Sequence, residues 1–430
     1  MYYPENRRFL RNFKLKETPV LMVTGTKGKT SISSMSSHVL KQSFEHILLL
    51  NTAGVYWNQN KLFTDQDSIN NFGKAITVMP GRYFYGLLRD QALDLSKACA
   101  IVEASLGCGV YGTGLQYHDI GILTNIYQDH IDGEIIRSKQ DLYQLKSFIF
   151  REIKPGGLFV TNLDQKLCLR AIKEAQALKK DLKIKGITSL GKSKAQRLYK
   201  KYQLSDAFFV EQDTLYSVKL GAIYDLNQFA YYFKQISTRF IPGNLMLIFA
   251  SLSEMLPVEK IGQRLNSFRF PFEYGRLQFY KGQDKNLVID FAHEIESLTQ
   301  VVQLVKDKYQ TKPALITRVA PDRSDEFIKK FGVDLSHLDL SALFIFDIID
   351  GKQRKFYRER SGKVRQPGET AELLATAAEQ ERPRFPIYQL IDEKQALDQA
   401  LKQYPVVLHI RKNLNKVKAI IEAHQLKQIL

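Results

Sequence analysis

Cysteine is scarce in this chain. Three occur among 430 residues, Cys99, Cys108 and Cys168, and no two form a C-x-x-C pair. This excludes a disulfide framework and a thiolate zinc site. It fits a reducing compartment, so a cytoplasmic location is expected. Cys99, inside the apolar run "ACAIV", is expected to be a small buried residue. Long hydrophobic runs are lacking too. No stretch reaches the roughly 18 uninterrupted apolar residues of a membrane span, so no membrane partner is expected. Residues 1–18 are basic but have no apolar core of the secretory-signal kind, and are expected to form a basic arm. Internal repeats and low-complexity blocks are also missing.

Acidic residues are in the minority. Asp and Glu number 45 against 62 Lys and Arg, a net charge of +17. Such a balance attracts anions: nucleotide, acidic peptide, nucleic acid or a membrane surface. The densest cluster, "GKQRKFYRERSGKVR" at 351–365, holds seven basic residues against one Glu. It lies between a strand-like and a helix-like run, so it reads as a loop that could hold an acidic substrate. Otherwise the composition, 44% hydrophobic and 25% charged, is ordinary for a globular protein. The length allows two or three domains.

Short apolar runs alternate with helical patterns. "PVLMV" (19–23), "ACAIVEA" (98–104) and "DIGILTNI" (119–126) read as buried strands of a mostly parallel sheet. "KTSISSMSSHVLKQS" reads as the helix after the first strand. "SKQDLYQLKSFIFREI" (138–153) reads as a helix stopped by "KPGG", with "GLFVTN" (157–162) as the next strand. Short strands and hairpins are expected in 170–240, and "IPGN" (241–244) as a loop entering an apolar helix. From "KNLVIDFAH" (285–293) onward a second α/β series begins. The expected fold is α/β, a P-loop ATPase domain over 19–270 followed by a Rossmann-like α/β domain over 271–430.

"VTGTKGKTS" (23–31) then joins a strand to a helix. Glycines let the backbone approach a phosphate, and amides at a helix start bind its oxygens. Gly25, Thr26, Lys27, Gly28, Lys29, Thr30 and Ser31 are the expected nucleotide-binding residues. Lys29 would reach the β and γ phosphates of ATP, and the Thr30 hydroxyl would ligate Mg²⁺. The first glycine of the common G-x-x-x-x-G-K-[ST] pattern is missing, since Val23 stands there. Two later strands end in polar residues: Glu103 after one, and Asn125, Asp129, His130 and Asp132 at and beyond the other. Ligands in open α/β sheets lie outside such strand ends. Glu103 and His130 are therefore candidate Mg²⁺ ligands, although His130 also suits an ordinary helix start.

Together these strings resemble the Mur ligase superfamily of ATP-dependent carboxylate–amine ligases. The resemblance rests on the G-T-x-G-K-T loop, Glu103, the T-N-x-x-x-D-H string at 124–130, Lys146, Gly243-Asn244, Gly275-Arg276 and "DFAH" at 290–293. "APDRSDEFIKKFG", "QPGETAELL" and "TAGVYWNQNKLF" look most like the C-terminal ligase module of cyanophycin synthetase. The resemblance implies a two-lobed ATPase without the amino-terminal substrate domain of the peptidoglycan ligases and without an ATP-grasp half. It implies that Glu103 shares the metal of Thr30, and that His130 serves a second metal or the acyl phosphate. Lys146 matches a lysine carbamylated in many relatives, which would make it a metal ligand; it also suits the surface of an amphipathic helix. Asn244 would contact adenine. Arg276 would face phosphate and Asp290 ribose, although Arg276 equally suits a linker surface.

The implied activity is amide-bond formation through an acyl phosphate, with Lys29, His130 and Lys146 as catalytic groups. The substrate would be an amino acid or peptide, probed first among acidic ones. Some loops depart from the pattern. Leu106 and Tyr111 stand near places where cyanophycin synthetases have Arg, "TDQDSINNFG" (64–73) replaces a Thr-Gly-Pro loop, "LMLIF" lacks a second Asn, and Glu294-Ile295 replaces Asn-Pro. These departures point to a substrate other than cyanophycin, or to a non-catalytic nucleotide-binding partner subunit. A homo-oligomer is compatible with either. A nucleic-acid ATPase ranks behind both, because the Glu103, His130, Lys146 and Asp290 set has no purpose there.

Overall fold

The computed structural model describes residues 18–63, 76–78, 80–81, 95–127, 136–178, 181–232, 240–270, 275–321, 323–347, 365–411 and 417–430. His130, the arm up to residue 17, the 64–73 loop and basic residues 351–364 lie outside them. Of the described residues, those up to Tyr232 and 240–268 form one compact unit, and those from Arg269 to Leu430 a second.

The first unit begins with β1 (Val20–Thr24), α1 (Lys29–Leu40), β2 (His46–Asn51), β3 (Gly54–Trp57), β4 (Asn60–Phe63) and β5 (Ala98–Glu103). It continues through α2 (Gly107–Tyr111), β6 (His118–Leu123), α3 (Lys139–Lys146), α4 (Phe148–Arg151), β7 (Ile153–Asn162), α5 (Lys166–Ala177) and β8 (Lys183–Thr188). It closes with α6 (Gly191–Lys201), β9 (Asp206–Glu211), β10 (Thr214–Ser217), β11 (Gly221–Asp225), α7 (Phe240–Leu252) and α8 (Val258–Asn266). The strands make one 11-stranded sheet in the order β11-β10-β9-β8-β7-β6-β1-β5-β2-β3-β4. From β9 to β2 every pairing is parallel, and β10, β11, β3 and β4 are antiparallel additions at the two edges. All five residues of β1 and all six of β5 are buried, as expected for strands covered on both faces.

Three local readings of the sequence are corrected. The 138–153 helix is broken into α3 and α4 at Ser147. A helix does end just before "KPGG", at Arg151, but these residues already lie within β7, whose register against β6 jumps from His118↔Ile153 to Ile120↔Leu158. Pro and Gly are accommodated there because a bulge leaves them outside the ladder. "IPGN" is not a loop, since α7 already begins at Phe240. Pro242 falls in its first turn, where no intrahelical N–H is required.

The second unit comprises β12 (Gln278–Lys281), β13 (Asn286–Asp290), α9 (Ile295–Tyr309), β14 (Ala314–Thr317), α10 (Asp325–Ser336), β15 (Ala342–Phe346) and α11 (Glu369–Glu381). β16 (Ile387–Leu390), α12 (Glu393–Gln403), β17 (Val406–Ile410), α13 (Lys418–Ala423) and β18 (Lys427–Gln428) follow. Its seven strands run β16-β15-β14-β17-β13-β12-β18, parallel from β16 to β13. The two-unit α/β architecture with mostly parallel sheets agrees with the fold read from the sequence.

Candidate active site

β1 lies between β5 and β6 in the sheet, so chain connections diverge to either side of it. Such a switch point leaves a crevice at the carboxyl ends of the strands. The loop 25–28 emerges there. Gly28 adopts φ +85° and caps α1, with Ile32 N donating to its carbonyl at 2.9 Å. α1 is rich in serine, yet Ser33 and Ser34 hydroxyls both donate back to Thr30 O, at 3.0 and 2.6 Å. This satisfies their polarity and lets the helix bury most of its length.

On the β5 side, Glu103 closes the strand at 1% exposure. Its Oε2 accepts from Thr30 Oγ1 at 2.9 Å, from Thr52 N at 3.1 Å and from Thr52 Oγ1 at 3.3 Å. The two hydroxyls are themselves 2.9 Å apart. Oxygens of Thr30 on α1, Glu103 on β5 and Thr52 in the turn after β2 thus meet beside the start of α1. Such a hard-oxygen donor set suits Mg²⁺. Lys29 Nζ donates to the carbonyls of Gly25 and Thr26 at 3.0 and 2.9 Å.

On the β6 side, residues 124–127 clamp the loop. Asn125 O accepts from Thr26 N at 3.0 Å and Asn125 Oδ1 from Lys27 N at 2.8 Å. Asn125 Nδ2 and Thr124 Oγ1 donate to Lys27 O at 3.3 and 2.6 Å. Tyr127 N donates to Thr26 Oγ1 at 3.0 Å. Two of the seven loop residues assigned to phosphate therefore have their amides engaged within the protein. Asn125→Ala leaves the Lys27 amide without its acceptor. The expected result is a rise of about tenfold in the KM for ATP with a smaller change in kcat, checked by steady-state kinetics.

Asn244 lies on α7, and its Oδ1 is 2.5 Å from the position a Cβ on Gly28 would take. The structure therefore brings Asn244 to the phosphate loop. Lys146, at the end of α3, is 4% exposed, which removes the surface-lysine reading. Its charge acts on Cys108. Burial pushes that thiol far above the ordinary range, Glu152 adds to the rise and Lys146 opposes it. Thr52 and the clamping role of Thr124 and Asn125 were not evident in the sequence. The one available signal was a polar residue directly after an apolar run, in "LLLNTAG" and "ILTN".

In the second unit, Asp290 ends β13 and is buried. Its Oδ2 accepts from Leu277 N at 3.0 Å, while the Arg276 guanidinium lies over the Phe291 ring at 4.8 Å. Burial raises the Asp290 carboxyl above its ordinary range, opposed by Arg276 and by the amides of Leu277, Ala292 and Phe291. A raised carboxyl keeps its proton in the folded state over a pH window where the unfolded chain has lost it. Stability therefore falls as pH rises through that window, and the loss persists above it. Asp290→Asn removes this penalty, and its amide oxygen can still accept from Leu277 N. Thermal melts across pH should show the variant unfolding at a higher temperature than the parent at neutral pH.

Residues 23–223 match the family model for the Mur ligase middle domain. The cyanophycin synthetase of Synechocystis sp. (strain ATCC 27184 / PCC 6803 / Kazusa) is 24% identical over 427 residues, 95% of this chain and 44% of that protein. The cyanophycin synthetase of Geminocystis herdmanii is 24% identical, over 94% of this chain and 42% of its own length. The chain thus spans less than half of these relatives. Among solved structures, a bifunctional folylpolyglutamate synthase/dihydrofolate synthase with Mn, AMPPNP and L-glutamate bound aligns at TM-score 0.61. It is 16% identical and covers 96% of this chain and 91% of that one. A UDP-N-acetylmuramoyl-L-alanyl-D-glutamate–2,6-diaminopimelate ligase aligns at TM-score 0.55 with 17% identity, covering 97% and 81%. These two alignments establish the fold. Residues 23–223 therefore match the Mur ligase middle domain, and the chain as a whole resembles the cyanophycin synthetases.

Proposed function

We propose that the chain is an ATP-dependent ligase that joins a carboxylate to an amine through an acyl phosphate. The observation that carries this reading is the bond between Glu103 and Thr30 at 2.9 Å, which ties a strand-end carboxylate to the phosphate loop. Relatives named as cyanophycin synthetases and peptidoglycan-type ligases support the reaction class.

In this reading the substrate carboxylate attacks the γ-phosphorus of ATP, the bond to the bridging oxygen breaks and ADP leaves. The amine then attacks the acyl carbon, the acyl–oxygen bond breaks, phosphate departs and a proton is lost from nitrogen. The phosphate loop and Lys29 hold the triphosphate, and Lys29 exchanges its contacts to Gly25 and Thr26 for phosphate oxygens. Thr30 and Glu103, with Thr52 beside them, would hold Mg²⁺, which screens the repulsion between ATP and an anionic substrate. Asn125 fixes the loop in the shape that receives the phosphates. His130 and Lys146 retain the roles in acyl-phosphate formation that the resemblance assigns them, as do Arg276 towards phosphate and Asp290 towards ribose.

The test is ADP release from ATP and Mg²⁺ with acidic amino acids or peptides paired with arginine, lysine and other amines. Sustained ADP release over many turnovers should require both a carboxylate and an amine, and mass spectrometry should show their amide. ATP binding without ADP release for every pair would favour a non-catalytic nucleotide-binding subunit.

A further inference from the structure

The second unit holds a group of charged side chains that the proposed reaction leaves unused. They gather at the carboxyl ends of β14 and β17, which are neighbours in the sheet. Arg318 directly follows β14, His409 lies on β17, and Arg411 directly follows β17. Alternation along a strand puts His409 and Arg411 on the face of Val407, and Arg318 on the face of Ala314 and Ile316. Those apolar residues share one core with Ala396, Leu397 and Ala400 of α12, so the three basic groups share that face. Glu393, the first residue of α12, pairs with the Arg411 guanidinium. Its Oε1 lies 3.0 Å from His409 Nε2. The Phe346 ring stands edge-on to the imidazole at 6.4 Å.

The group is incomplete in two respects, and its place in the sheet is a third pointer to a ligand. Half-buried Arg318 has no acidic partner among the described residues. Its charge is nevertheless felt, because it adds to the burial that pushes His409 down to about 3 and Arg411 down to about 10. His409 is fully buried, yet neither ring nitrogen makes a hydrogen bond among the described residues. A buried polar group left unpaired costs roughly 1–3 kcal/mol, so it calls for an explanation. Finally, the group lies outside the carboxyl ends of parallel strands, where open α/β sheets place their ligands.

We propose that Arg318, His409 and Arg411 form an anion-binding site for a small carboxylate or phosphate group. The guanidiniums supply charge and planar donors. The neutral imidazole supplies one N–H donor. The site needs neither ATP nor turnover, so it stands or falls apart from the ligase reading.

The test uses the full chain with isotope-labelled histidine and follows the imidazole signals by NMR. L-Glutamate and inorganic phosphate are titrated separately. The His409 signal is assigned by its loss in His409→Gln or, should that variant not fold, by its displacement in Arg318→Gln. The expected result is a saturable shift of that signal, and the anion that saturates at lower concentration distinguishes carboxylate from phosphate. Arg318→Gln should weaken the titration about tenfold or more, with Arg318→Lys intermediate. A His409 signal that moves with neither anion would overturn the proposal, as would unchanged affinity in a folded Arg318→Gln variant.

Discussion

Replacing Glu103 by glutamine should lower substrate-dependent ADP formation by about 10²–10³-fold while leaving the fold intact, the scale of losing one preorganised electrostatic group. Glutamine has the same shape, and its amide oxygen can still accept from Thr30 Oγ1 and Thr52 N, the bonds Glu103 makes at 2.9 and 3.1 Å. What disappears is negative charge at a buried position next to the loop. If Glu103 helps hold a divalent cation, that loss falls on the cation-dependent part of the rate. The measurement is kcat over a Mg²⁺ titration, with thermal unfolding as the check on the fold. The midpoint of the titration should move to higher Mg²⁺, and ATP binding measured with chelator present should change little. A kcat within about twofold of the parent would reduce Glu103 to a structural acceptor for Thr30 and Thr52.

The sequence exposed those parts of the molecule that local pattern controls. β1, β5 and β6 were legible because strands buried on both faces are continuous runs of Val, Ile and Leu. The phosphate loop was legible because glycine is needed where the chain turns left-handed. α5 and α6 were not, because their outward faces are dense in Lys, Arg and Gln and their buried faces hold only a few residues, such as Ala171 and Ile172 in one and Ala195 and Leu198 in the other. α10 was missed for a similar reason, although Ser324 caps it by accepting from Phe327 N. The β7 bulge could not be read, since Pro155 and Gly156 signal a stop unless the partner strand is known. The site divides in the same way. Glu103 and Thr30 announce themselves in sequence, but Thr52 joins them only because β2 pairs with β5, a contact between segments about 50 residues apart in sequence.

The loop clamp leads to the second large effect. Gly25→Ala should abolish measurable ATP binding. Gly25 has φ +140°, and an added Cβ would lie 2.0 Å from Thr124 Oγ1 and 3.1 Å from both N and O of Asn125. Thr124 Oγ1 cannot easily swing aside, because it donates to Lys27 O at 2.6 Å. Relief therefore requires the loop to leave β6, which also breaks the bonds from Thr26 N and Lys27 N to Asn125. Gly112 provides the control: its φ is +82°, but an added Cβ meets nothing within 4 Å. Gly112→Ala carries backbone strain alone, about 1–3 kcal/mol, and should bind ATP normally. Calorimetric titration of ATP against the two variants and the parent separates the cases. Removing the obstructing hydroxyl in a Gly25→Ala/Thr124→Ala double variant should restore part of the binding but not all, since the strain at residue 25 and the lost Lys27 contact remain. Undiminished ATP affinity in Gly25→Ala would show that the phosphate loop does not depend on its seat against Thr124 and Asn125.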